Sequence, residues 1–137
     1  MTELQRQTLR AALDCVIPPD DFLGAWEAGV GNYLAHQFEG DLAPQMTFYL
    51  AGLDGLEAEA VASLGNHFFS LRPEDQNSIL QRVEVGTVKT SWTISPEKFF
   101  KLMVETAAEG YYSNPEQGGN IGEVSWAMTG FSKYGPV

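Results

Sequence analysis

The residues of this chain that could do chemistry are few and stand apart. Glu105 and Glu109 are four apart, a spacing that puts two carboxylates on one helix face and can grip a divalent ion. No histidine or third carboxylate follows at matching spacing, so the pair reads as a solvated face. Glu57 and Glu59, two apart, point in different directions on a helix and also read as solvated charges. A di-iron bundle requires Glu-x-x-His on facing helices, and the sequence has none. Cys15 is the single thiol. A nucleophilic cysteine needs a base, but no histidine is near in sequence, and Cys15 lies on an apolar stripe as a small hydrophobe would. His36 falls near the end of a predicted helix, where a positive charge complements the dipole. A P-loop, a dinucleotide-binding glycine pattern, a nucleophile elbow and a His/Cys metal cluster are all missing. The residues therefore predict no catalytic, cofactor-binding or metal-binding set in this chain.

The bulk properties narrow the class. At 137 residues the chain is most simply one domain, 1–137, large enough to bury a core without staples. Its apolar fraction of 44% is that of an ordinary globular chain. A net charge of −10 excludes a nucleic-acid reader, which needs a basic face, and disfavours an anionic membrane surface. One cysteine excludes an internal disulfide. No run reaches the roughly 18 apolar residues of a membrane span, so direct membrane insertion is not expected.

The elements follow from periodicity and punctuation. A first helix is predicted from Thr2 to about Ile17, with Leu4, Thr8, Ala11, Ala12, Cys15 and Val16 as its stripe, ended by Pro18-Pro19. A second is predicted from Phe22 to about Phe38. It carries Gly29 and Gly31, each costing about 1 kcal/mol relative to alanine, which implies close approach of a neighbour. Asp41 is read as the cap of a third helix, with Leu42, Met46, Tyr49, Leu50, Leu53, Leu56, Ala60 and Leu64 on one face. Pro73 opens a fourth, which runs to Val85 and stops at Gly86. Residues 86–94 alternate with a period of two and read as an extended crossing segment pinned by Trp92. Ser95-Pro96-Glu97 starts a fifth helix with Phe99, Phe100, Met103, Val104, Ala107 and Tyr111 buried. The expected fold is all-α: an irregular bundle of about five helices with long ordered loops and an extended C-terminal tail.

The most specified stretch is the exit from the fifth helix. Asn114 precedes Pro115, which disfavours α geometry there. Gly118 and Gly119 admit backbone that a Cβ resists. Tyr111, Tyr112, Trp126, Phe131 and Tyr134 flank them. Such a loop either locks the end of the bundle or meets a partner, and tyrosine and tryptophan are favoured anchors of interfaces.

The segment Phe99-Phe100 … Gly110-Tyr111-Tyr112-Ser113-Asn114-Pro115-Glu116-Gln117-Gly118-Gly119-Asn120 … Trp126 … Gly130-Phe131 resembles the signature of the gluconate 2-dehydrogenase subunit 3 family. Phe68–Gln76 and Leu9–Pro18 are similar to two further blocks of that family, so the resemblance covers most of the chain in order. It implies a non-catalytic small subunit of a sugar, sugar-acid or glucoside dehydrogenase complex. The implied partner is a large flavoprotein subunit of the glucose-methanol-choline type that carries FAD, with a cytochrome c subunit taking the electrons in some complexes. The small subunit is implied to assist folding of the large one and its export. The twin-arginine signal of that pattern is missing. The expected location is the cytoplasm if Met1 is the native start, and the periplasm if a signal was removed. On this reading Tyr111, Tyr112, Ser113, Asn114, Pro115, Gly118, Gly119, Asn120, Trp126 and Phe131 form the partner interface. The alternatives are a free-standing saccharide- or protein-binding module, with Trp26, Trp92 or Trp126 stacking on a sugar, and a metal carboxylate bundle acting alone.

Overall fold

The computed structural model describes residues 1–20 and 22–113, and the backbone of 131–132 and 135–136. Five α-helices stand among the described residues: α1 (Glu3–Val16), α2 (Val30–Phe38), α3 (Met46–Leu64), α4 (Pro73–Val85) and α5 (Pro96–Tyr112). Short 3-10 turns at Ala43–Gln45 and Phe68–Ser70 lead into α3 and α4. Phe131–Ser132 and Gly135–Pro136 form a two-residue antiparallel pair, β1 and β2. The fold is all-α, as the sequence predicts. The rest of the predicted C-terminal tail lies outside the described residues.

Local chemistry sets the boundaries. Thr2 and Gln5 close a capping box on α1: the Gln5 amide donates to Thr2 Oγ1 at 3.1 Å and the Thr2 amide to Gln5 Oε1 at 2.8 Å. Ser95 caps α5 by accepting the Lys98 amide at 3.2 Å, and Pro96 follows at the first helical position. Gly86, at φ +78°, ends α4 in the left-handed conformation that glycine adopts without penalty.

Helix α5 is the central element and packs against α1, α2, α3 and α4. The middle of the core is an edge-to-face series: Phe38 meets Tyr49 at 5.2 Å, and Tyr49 meets Phe99 at 5.6 Å. Tyr49 is fully buried, its hydroxyl 3.2 Å from Thr106 Oγ1. Gly52 lets α3 approach α5 closely, because any Cβ there would overlap the Phe99 ring.

Several sequence expectations need correction. The second helix starts at Val30, not Phe22, because Gly29 sits at φ +94° and turns the chain before the helix begins. Residues 22–29 instead form turns that fold Trp26 back over Gly31, whose hypothetical Cβ would lie 2.5 Å from the indole. The third helix starts at Met46 after a 3-10 turn, and Asp41 does not cap it. The α1 stripe is rotated: Leu9, Ala12, Leu13 and Thr8 are buried, while Leu4 is exposed.

The largest correction concerns the acids of α3. Glu59 is not solvated; it is completely buried. Its carboxylate accepts the amides of Lys89 at 2.9 Å and Thr90 at 2.7 Å, and the Thr90 hydroxyl closes on the same oxygen as the Thr90 amide. Arg82 Nη2 stands 3.7 Å away and donates to Ser63 Oγ at 2.8 Å. Burial alone would raise the Glu59 pKa. The Thr90 hydroxyl, the two amides and the nearby Trp92 indole outweigh it and hold the carboxyl below its ordinary value. The Trp92 N–H is buried and lies near Glu59 without a bond of regular geometry. Glu57 is engaged as well: it accepts the Phe68 amide at 2.9 Å and pairs with His67 Nδ1 at 2.6 Å, closing the turn from α3 toward α4.

Candidate partner interface

The predicted interface begins where α5 ends, and the structure places its first three residues differently. Tyr111 points inward and is 1% exposed. Its hydroxyl donates to the Leu23 carbonyl at 2.8 Å, tying the end of α5 to the turns before α2. Tyr112 is 49% exposed and meets Tyr111 edge-on at 5.5 Å. Ser113 leaves the helix in extended geometry, its hydroxyl donating to the Gly110 carbonyl at 3.0 Å. Asn114, Pro115, Gly118, Gly119, Asn120 and the side chains of Trp126 and Phe131 lie outside the described residues.

Glycine makes this junction possible. A Cβ on Gly110 would sit 2.8 Å from the Tyr33 ring and 3.2 Å from Val30 Cγ1, so these two α2 side chains rest directly on the α5 backbone there. The Tyr33 hydroxyl is shifted up, first by burial and then by the charge and hydrogen bond of Glu109. Burial and then the neighbouring Tyr112 and Asp20 likewise raise Tyr111.

The turns opposite are themselves specified. Asp20 Oδ1 accepts the Phe22 amide at 2.9 Å, and the Ala25 amide returns to the Ile17 carbonyl at 2.9 Å. Asp14 Oδ1 accepts the Trp26 amide at 3.0 Å. Desolvation raises the Asp14 pKa, and the Trp26 amide and then the Arg10 charge partly offset that rise. Phe22 is exposed. Two exposed aromatic rings, Phe22 and Tyr112, therefore adjoin the residues joined by the Tyr111–Leu23 hydrogen bond. Sequence reasoning missed Phe22 because a helix starting there would have buried it.

The other reactive groups are held in structural roles. Cys15 Sγ donates to Gln76 Oε1 at 3.4 Å, and Gln76 in turn donates to the Phe68 carbonyl at 2.9 Å. Burial and then Asp14 push the thiol up to about 11, so it is not a thiolate at neutral pH. Among the described residues, three or more His, Cys, Asp or Glu side chains do not gather into a metal-binding group. Trp26 carries Arg6 and Arg10 over its ring at 5.2 and 5.9 Å, and Trp92 packs on Gly55 and Phe99.

What this junction can do is present aromatic surface at the end of a rigid helix, next to the most specified loop of the sequence. A family model described as gluconate 2-dehydrogenase subunit 3 matches residues 3–133, and the chain belongs to that family. Comparison with curated proteins and with solved structures gave no match.

Proposed function

We propose that this chain is the non-catalytic small subunit of a sugar, sugar-acid or glucoside dehydrogenase, and that it stabilises a large FAD-carrying subunit of the glucose-methanol-choline type. The observation that carries this reading is the family match across residues 3–133, since the family is one of dehydrogenase subunits. The sequence supports assigning FAD to the partner, because it does not carry the glycine pattern that binds a dinucleotide pyrophosphate.

The proposed interface runs from Tyr112 through Ser113, Asn114, Pro115, Gly118, Gly119 and Asn120 to Trp126 and Phe131. Tyr111 belongs to it as the internal anchor that fixes where that surface starts. An exposed Tyr112 on a helix tied down through Tyr111–Leu23 loses little conformational freedom on binding, which favours its use as a contact. A cytochrome c subunit is a further partner of such a complex on this reading. The packing of Trp26 and Trp92 against their own chain weighs against the alternative in which they stack on a free saccharide.

Co-expression tests the proposal. The large subunit made together with this chain should be soluble, yellow and active with an artificial electron acceptor. Made alone, it should yield little folded flavoprotein. Equal yield and FAD content in both cases would refute the stabilising role.

A further inference from the structure

Among the described residues, helices α4 and α5 pack closely, yet their outer faces leave a furrow open. Two adjoining hollows of about 470 and 450 Å³ run along it and share Glu84, Phe100 and Val104. Val16, Leu80, Phe100 and Val104 form the apolar floor. Sequence periodicity assigned Phe100 and Val104 to the core, but both remain partly exposed here, unlike Phe99 and Met103 one position before each. Val85, at the end of α4, is 63% exposed.

The rim is charged with one dominant sign. Among the described residues, Glu84, Glu97 and Glu105 line the furrow, against the one ammonium of Lys101. All four are exposed, and none of the three carboxylates is held in an ion pair among the described residues. This contrasts with Glu57 and Glu59, whose carboxylates are occupied by the fold itself. Solvated carboxylates flanking apolar side chains favour an occupant that brings cations to the rim and an apolar side chain to the floor.

We propose that the α4–α5 furrow is a second docking surface, and that it takes a segment of the large dehydrogenase subunit carrying Lys or Arg on either side of an apolar anchor. This rests on the subunit reading above. It adds a contact on the faces of α4 and α5 to the one proposed at the end of α5. The apolar floor sets register, while the three carboxylates draw the segment in and reject acidic competitors. The furrow differs in sign and chemistry from the Arg6–Trp26–Arg10 face, where two cations stack on one ring.

The test uses the flavoprotein that co-purifies with the tagged wild-type chain, isolated and then titrated with purified small subunit. The double variant Glu84→Lys/Glu105→Lys should bind about tenfold or more weakly at low salt, mainly through slower association, and should lose much of the wild-type salt dependence. Val104→Asp should weaken binding at high salt too, because it wets the floor. Glu39→Lys/Asp54→Lys, reversed elsewhere on the surface, should bind as the wild type does, and circular dichroism should show all variants folded. Furrow variants that bind within twofold of wild type would overturn the second docking surface while leaving the subunit reading intact. Loss of a wild-type homodimer in sedimentation, with flavoprotein binding unchanged, would assign the furrow to a second copy and overturn it equally. A wild-type chain that retains no flavoprotein would remove both readings.

Discussion

The Glu59 carboxylate and the Thr90 backbone are joined by a 2.7 Å hydrogen bond that crosses from the C-terminal half of α3 to the segment between α4 and α5. The Thr90 hydroxyl and the Lys89 amide complete the set, so one buried side chain organises a stretch with no regular secondary structure of its own. This clasp seats residues 86–95, and through them the start of α5. Helix α5 then positions Tyr111 and Tyr112 at its far end. The acid on α3 thus acts on the proposed interface through the placement of one helix.

Removing the clasp should be costly. Glu59→Ala leaves two amides, a hydroxyl and the Arg82 guanidinium short of a buried acceptor, and is expected to destabilise the protein by about 2–4 kcal/mol in urea unfolding. Glu59→Gln keeps the shape and part of the bonding, and should lose less. An alanine variant within about 0.5 kcal/mol of wild type would show that the segment does not depend on it.

The same group gives a signed pH dependence. The folded carboxyl titrates below its ordinary value of 4.5, so the folded state binds the proton less readily than the unfolded chain. Its contribution is therefore fully present above that value and is lost as pH falls through the lower folded value. The stability gap between wild type and Glu59→Gln should hold steady from neutral pH to about pH 5 and then narrow with further acidification. A gap that stays constant well below the ordinary carboxylate range would contradict the assignment.

Close helix approach predicts which glycines tolerate a methyl group. Gly52→Ala forces the Phe99 ring to move, and Gly55→Ala places a Cβ 2.6 Å from the Trp92 indole. Each should lower stability by about 1–3 kcal/mol through overpacking. Gly40→Ala meets nothing nearer than a carbonyl oxygen at 4.0 Å and should stay within about 0.5 kcal/mol of wild type. Thermal melts of the three variants check the contrast.

The tyrosine pair should separate folding from binding. Tyr111→Phe deletes the hydroxyl that holds Leu23 and should cost about 1 kcal/mol of stability. Tyr112→Ala removes an exposed ring, should leave the melting temperature nearly unchanged, and should weaken retention of the flavoprotein. Equal retention by Tyr112→Ala would move the interface away from the end of α5.

Cys15 should be sluggish toward alkylation. A thiol with a pKa near 11 holds about a hundredfold less thiolate at mildly alkaline pH than one at 9.0. Iodoacetamide labelling of the native protein should lag the urea-unfolded chain by a similar factor. Matching rates would show that burial beside Asp14 does not suppress the thiolate.

The helical plan was legible in the sequence because its punctuation is local. Pro73, Gly86, and the Ser95-Pro96 pair mark ends that the structure keeps within a residue, and the Phe99–Met103–Ala107–Tyr111 stripe is buried as read. Gly29 was misread because one positive φ, which glycine permits silently, moved a helix start by eight positions. Glu59 was misread because charge suggested solvent. Yet it stands three residues after Leu56 on the buried face, and only the return of residues 89–90 from another part of the chain gives it partners. The furrow escaped for a related reason: periodicity assigns Phe100 and Val104 to the buried face, and only the packing of α4 against α5 leaves both partly exposed. The aromatic signature after α5 was visible as a motif, and Tyr111 and Tyr112 part ways there only because the turns before α2 reach one hydroxyl.

The central claim is that this chain belongs in a complex with a flavoprotein, and purification through a C-terminal tag at Val137 tests it most directly. The account predicts that a second, several-fold larger chain co-purifies in fixed proportion and that the eluate shows flavin absorption. A 15.0 kDa chain recovered alone and colourless from its native source would contradict it.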